Sequence, residues 1–278
     1  MMMRSAGGIG AAALSLAAPA LGAPSVEIKD AAARVIVVPE ARSDVKVQLL
    51  AANPALPLTI RTFGDRVIVD GGLRRRLGGC SNLFGRTVIH IRDLGEVSYD
   101  SLPQVVVHAP QDVRVGASGA VFGRIGRSGS VELSNAGCGD WLIANVQGTL
   151  RINDAGSGDV RAGRAGALAA RVAGSGDVAT REISGPATID MAGSGDVSAA
   201  SISGDLHASV AGSGDVKIRD GHAPDMQVRI AGSGDVTFDG TADEVNAVIA
   251  GSGDVNVARV TGPIHKSVFG SGDVNVGH

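Results

Sequence analysis

Large side chains are scarce in this chain: one Trp, one Tyr and five Phe stand among 278 residues. A thick core cannot be filled without them, so the apolar volume must come mainly from Ala and Val in a thin layer. Cysteine is nearly missing too. Cys80 and Cys138 lie far apart with no paired histidines beside them, which excludes a zinc site. Whether the two join each other stays open at this level. Neither sign of charge prevails, with 25 Lys+Arg against 28 Asp+Glu and a formal net charge of −3. No basic stripe is interleaved with aromatics, so nucleic acid is not an expected partner. Long apolar runs are absent after the first residues, and no transmembrane span is expected in the mature chain.

The first 22 residues read as a targeting segment. Met1 to Arg4 form a short positive region, residues 6–18 are small and apolar, and Ala18-Pro19-Ala20 and Ala20-Leu21-Gly22 each offer a small-x-small cleavage site. The apolar run is too short to cross a bilayer. No Cys follows it, so a lipoprotein anchor is not expected. The mature chain is expected to start between Leu21 and Pro24, in the periplasm, at the outer surface or outside the cell, where a Cys80–Cys138 disulfide is chemically permitted.

What the chain has in abundance is glycine, 41 residues, and repetition. The pattern Gly-x-Gly-Asp begins at Gly137, Gly156, Gly174, Gly193, Gly212, Gly232, Gly251 and Gly270, in steps of 19, 18, 19, 19, 20, 19 and 19. All copies but the first read GSGDV. The first puts Cys138 in the Ser slot and Trp141 in the Val slot, and a degenerate predecessor occupies residues 117–121. Between signatures, apolar or small residues alternate with polar ones, as at Leu206, Ala208 and Val210 or Val245, Ala247 and Ile249. Period-two alternation marks a strand with one buried face. A helix fails on this spacing and on glycine, which costs about 1 kcal/mol each in a helix interior. A propeller blade needs about twice this period, and the calcium-binding nonapeptide roll about half. The expectation is an all-β, single-coil parallel β-helix (β-solenoid) of about 19 residues per coil over residues 116–278. Val160, Val178, Val197, Val216, Val236, Val255 and Val274 then form an inward ladder.

Residues 23–115 are β-rich but less regular, an N-terminal cap or irregular first coils. Short β runs occur at residues 35–38, 45–49, 58–60, 66–69, 87–91 and 105–107, and Phe63-Gly64-Asp65-Arg66 reads as a hairpin turn. An open solenoid end exposes strand edges. The last copy breaks off at His278, so its edge is expected either to be available for self-association or simply to fray.

Recurring GSGDV signatures behind a leader and a β-rich lead-in resemble the family described as "putative auto-transporter adhesin, head GIN domain". The resemblance covers about residues 100–278 well and the lead-in less distinctly. It implies an exported bacterial β-helix of the cell envelope, a family of largely unknown molecular function with no catalytic motif to carry over. No stretch carries the many lipid-facing strands of a translocator barrel, so a self-sufficient autotransporter is not expected.

Candidate chemistry is sparse. The ladder Asp140, Asp159, Asp177, Asp196, Asp215, Asp235, Asp254 and Asp273 stacks carboxylates about 5 Å apart, a repulsion of roughly 0.8 kcal/mol per pair in water. Asx-type corners with solvated carboxylates relieve it; shared cations, calcium first, are the alternative. Identical carboxylates do not differentiate into acid and base, so no catalytic residue is assigned. The ladder Ser157, Ser175, Ser194, Ser213, Ser233, Ser252 and Ser271 lacks a repeated base, and none of His90, His108, His207, His222, His265 and His278 belongs to the signature. His207 and His265, three coils apart, are too distant to share a metal. Arg74-Arg75-Arg76 reads as a Gly-flanked loop, either solvated or able to meet acidic polysaccharide. Trp141 reads as a plug for the first coil, with sugar stacking as the alternative. The reading is a non-catalytic, adhesin-like binding protein for polysaccharide or protein. A β-helical polysaccharide-processing enzyme and a polymerising scaffold are the alternatives.

Overall fold

The computed structural model describes residues 23–83 and 86–277. The leader and cleavage sites expected in residues 1–22, and His278, lie outside the described residues. There is no α-helix among the described residues, only strands and two short 3-10 turns.

The solenoid is present, and it is parallel throughout. Each signature lies one rung from the next: Trp141 aligns with Val160, Val160 with Val178, Val178 with Val197, and so on through Val216, Val236 and Val255 to Val274. From Trp141 to Val255 these side chains are at most 1% exposed. A second inward ladder runs Leu150, Leu168, Ala187, Leu206, Met226, Val245. A third runs Ile152, Ala170, Ile189, Ala208, Val228, Ala247, alternating large and small side chains so that successive layers interdigitate. Each fully buried Val or Leu contributes about 2 kcal/mol relative to exposure, but only once the neighbouring coils close over it. The 20-residue step does not disturb the core. Ser203 pairs His222 and Leu206 pairs Met226, so the extra residue is taken up at the corner between His222 and Met226.

The signature glycines are set by how closely the coils approach. A Cβ built on Gly156, Gly174, Gly193 or Gly195 would lie closer than 3.0 Å to the carbonyl oxygen of the equivalent glycine one rung below, a separation real Cβ atoms do not show. The obstacle is backbone, which cannot swing aside.

At the N-terminal end the chain order and the stacking order part company. The strand Ser25–Glu40 lies inside the stack, parallel to Asp112–Ile125 on one side and to Arg66–Asp70 and Gln104–Pro110 on the other. That outer layer is covered by two antiparallel strands, Lys46–Ala51 and Thr59–Phe63, the latter joined to Arg66–Asp70 by the Gly64-Asp65 hairpin. The lead-in thus supplies both first coils and a cap.

Between Asp70 and Gln104 the chain leaves the solenoid and builds a three-stranded antiparallel sheet, Leu77–Leu83, Arg86–Ile91 and Gly95–Ser98. Leu73, Ile89, Ile91 and Leu102 form a second small core with Ala32, Ala120 and Phe122 of the solenoid wall. The disulfide Cys80–Cys138, spanning 58 residues, ties this sheet to the first signature.

Candidate functional site

The outer corner of the repeats carries the Ser and Asp ladders. Every ladder Ser is exposed. Its backbone N–H donates to the first signature glycine of the preceding rung, as from Ser194 to the Gly174 carbonyl at 3.1 Å. The Asp ladder resolves its own repulsion through the backbone. Oδ1 of Asp140, Asp159, Asp177, Asp196, Asp215, Asp235 and Asp254 each accepts from the N–H of the next ladder Asp, at 2.8–3.2 Å. At the last copy, Asp273 Oδ1 accepts instead from Lys266 Nζ and the Val274 N–H, which holds its carboxyl below the usual range, the Lys266 hydrogen bond foremost. The next backbone N–H, that of Val178 for instance, donates to the Asp196 carbonyl at 2.8 Å. Asp side chain and main chain together continue the ladder around the corner where the strand has stopped.

A prediction follows at Asp196. Asp196→Asn keeps an acceptor for the Asp215 N–H and removes a charge, so its thermal stability should equal or exceed wild type. Asp196→Ala loses the bond and should cost about 1 kcal/mol. Calorimetry of the two variants checks this; equal loss in both would contradict the hydrogen-bonding role.

The other candidates are scattered. His207, Gln227, Asn246 and His265 occupy successive rungs, which separates the two histidines by about 14 Å. His265 sits 3.9 Å from Glu244 and His222 3.1 Å from Asp243. No cluster of three His, Cys, Asp or Glu side chains placed to hold a metal occurs among the described residues. Ser81 and His90 share a 2.9 Å hydrogen bond across the appended sheet. Arg74–Arg76 is not an open loop: it forms a 3-10 turn, with Arg74 paired to Asp30 and Arg76 to Asp93. The packing of the appended sheet draws these arginines against acidic neighbours. Trp141 is 1% exposed and fills the space beside Gly123, where a Cβ would collide with its ring. It is a core plug and has no face to offer a sugar.

Two features lie outside the expectations drawn above. The first is a polar pair inside the solenoid. Asn135 and Asp154 are 2% and 1% exposed, and Asn135 Nδ2 donates to Asp154 Oδ1 at 2.9 Å. They occupy the slot taken by Val172, Met191 and Val210 in later coils, a polar interruption the aligned repeats do display. Burial pushes the Asp154 carboxyl up, against the opposing effect of Asn135. A raised folded-state pKa means the Asp154 contribution to stability is full below the unfolded value of 3.8 and is lost as pH rises through the folded value. The stability of wild type relative to Asp154→Asn should therefore fall as pH is raised from 3 towards 7. A difference that does not change with pH in chemical denaturation would contradict an ionising buried carboxyl.

The second is a cleft of about 660 Å³ between the appended sheet and the solenoid flank, lined by Arg34, Thr87, Tyr99, Gln104, Arg124 and Leu142 among others. These residues come from segments far apart in the chain, and no local pattern announces them.

Comparison with known proteins places the chain. A model of the family described as "Putative auto-transporter adhesin, head GIN domain" matches residues 103–222 and 185–277. The chain belongs to this family of adhesin-like β-solenoids. Among solved structures, one called a putative adhesin from Parabacteroides distasonis ATCC 8503 is similar at 15% identity, covering 91% of this chain and 93% of that one with a TM-score of 0.50. Another, called a putative lipid binding protein from the same organism, is 16% identical over 91% of each chain with a TM-score of 0.45. At 15% identity the likeness to the putative adhesin is one of fold. No curated protein matches the sequence.

Proposed function

We propose that this chain is an exported, non-catalytic protein of the cell envelope that binds polysaccharide or protein through its repetitive solenoid surface. The supporting observation is the outer corner itself: exposed Ser hydroxyls, and Asp carboxylates that are exposed or half-buried, recur once per rung, about 4.8 Å apart. A lattice of identical groups suits a partner that is itself repetitive, because each added contact raises avidity. It does not suit acid–base catalysis, which needs unlike groups in one place. Export rests on the leader read in residues 1–22, and the family's adhesin description accords with it.

The test is binding of the purified mature protein to an array of envelope polysaccharides, with and without calcium. Affinity is expected to rise with polymer length, without formation of new chain ends. Turnover into shorter products would support the polysaccharide-processing alternative instead. The reading requires no cofactor. Calcium that tightens binding, with the effect lost in Asp177→Asn/Asp196→Asn/Asp215→Asn, would assign the Asp ladder a cation-binding role.

One observation favours a second reading, self-association. The outermost C-terminal strands, Ile264–Gly270 and Val274–Val276, each pair on one side only among the described residues, and Phe269 is 69% exposed. An exposed apolar strand edge is a template for another chain. Concentration-dependent assembly in light scattering, suppressed by Phe269→Asp, is the expected result if this edge joins copies; a monomer at all concentrations would contradict it.

A further inference from the structure

We propose that the cleft between the appended sheet and the solenoid flank is a binding site for an acidic saccharide, a carboxylate-bearing sugar chain held by Arg34 and Arg124. This goes beyond the repetitive surface proposed above and rests on the polysaccharide branch of that reading.

Arg34 carries the argument. It is half-buried on the solenoid wall, and its guanidinium lies 5.5 Å from the centroid of the Tyr99 ring. Tyr99 in turn meets Phe122 edge-on, with centroids 5.1 Å apart. Yet Arg34 has no ion pair among the described residues, and its buried Nε has no hydrogen-bond partner. Most of the other arginines near this end of the solenoid that are not fully solvated have a carboxylate: Arg42 has Glu40 and Asp44, Arg66 has Glu27, Arg76 has Asp93. A guanidinium held by packing, partly desolvated and without an anion, is a preorganised fork for a planar carboxylate.

Arg124 stands on the same flank. Phe122 aligns with Arg34, and Arg124 lies two residues further along that strand, so both side chains border the cleft. Arg124 is exposed and likewise has no ion pair among the described residues. The cleft's acidic member, Asp140, accepts from the Asp159 N–H, and Arg161 is paired to Asp159 at 2.9 Å. Asp140 keeps its charge but forms no ion pair with either arginine, so Arg34 and Arg124 are both left without a carboxylate partner among the described residues, and with Arg161 the lining carries more positive than negative groups.

The remaining lining decides the class of ligand. Thr87 and Gln104 supply hydroxyl and amide groups beside the apolar surfaces of Phe122 and Leu142, a mixture suited to a sugar's hydroxyls and C–H faces. A second hollow of about 690 Å³ continues along the flank and shares Ile36, Arg124, Leu142 and Arg161 with the first, which gives a groove rather than a closed pocket. A groove accepts a linear chain. The wall is fixed from behind by the Cys80–Cys138 disulfide and the small core around Ile89 and Phe122, so little ordering is needed on binding.

Titration calorimetry with a hexameric oligogalacturonide at low salt tests the proposal, with the fully methyl-esterified hexamer as the uncharged control of the same shape. The acid is expected to bind at least tenfold more tightly than the ester. Arg124→Gln and Arg34→Lys should each weaken binding about tenfold or more, Arg34→Lys because it keeps the charge and loses the fork. Arg229→Gln, an exposed arginine on a distant rung, should leave binding unchanged. Equal affinity for acid and ester overturns the proposal, as does binding of a fatty carboxylate such as laurate in place of the hexamer. Unchanged binding in both cleft variants, together with loss of binding in variants of the Ser and Asp ladders, overturns the cleft and leaves the repetitive surface as the binding face.

Discussion

Replacement of Gly195 by alanine is expected to disrupt the stack from its middle. Gly195 is buried at the outer corner, and a methyl group there meets the Gly176 carbonyl oxygen and the Ser175 carbonyl carbon of the rung below. Both are main chain in a hydrogen-bonded corner, so relief requires the coils to separate. Overpacking of this kind costs about 3 kcal/mol, and more where the backbone cannot yield. For a chain of this size that is a fall in Tm of roughly 6–12 °C. Ser194→Ala, one residue away, removes an exposed hydroxyl and should stay within about 0.5 kcal/mol of wild type. Thermal scans of the pair separate a requirement for glycine from a general sensitivity of the corner. Gly195→Ala with wild-type stability would mean that the coils do not approach as closely as described.

The second large effect is expected on reducing the Cys80–Cys138 disulfide. Closing a loop of 58 residues limits the unfolded chain by about 4 kcal/mol in the loop-entropy treatment. The loss should be local. The appended sheet touches the solenoid through a small apolar core, whereas the repeats beyond Trp141 are held by their own ladders. In Cys80→Ser/Cys138→Ser, hydrogen exchange should accelerate across residues 77–98 while Val178, Val197 and Val216 keep their protection. Equal acceleration throughout would mean that the first signature and the appended sheet are needed to hold the whole solenoid together. The same variant should weaken the acidic hexamer, because one wall of the cleft is lost.

These two predictions also mark what the sequence made legible. Gly195 and the Val ladder could be read directly, because a repeat protein writes its nearest-neighbour contacts into its own period: what packs on Val178 is the residue one signature away. The alternation at Leu206, Ala208 and Val210 named the inward face for the same reason. The appended sheet was only half visible. Its central strand stood out as the apolar run 87–91, but Leu77–Leu83 and Gly95–Ser98 are too poor in apolar residues to signal. The insertion of Ser25–Glu40 between later strands was hidden as well, since parallel pairing of non-consecutive segments leaves no local pattern. The fate of Arg74–Arg76 depended on Asp30 and Asp93, and the cleft on residues from many segments far apart in the chain. Asn135 and Asp154 did carry a signal, as polar residues in a slot that later coils fill with Met191 and Val210.

Everything rests on one signature advancing the chain by one rung. Spin labels on cysteines introduced at Ser157 and at a second ladder serine measure this directly, since these positions are exposed and the native cysteines are bonded to each other. Pulsed dipolar spectroscopy should give a mean distance that grows by about 4.8 Å per signature, reaching about 29 Å between positions 157 and 271. Distances that do not increase steadily through positions 213, 233, 252 and 271 would contradict the stacked solenoid.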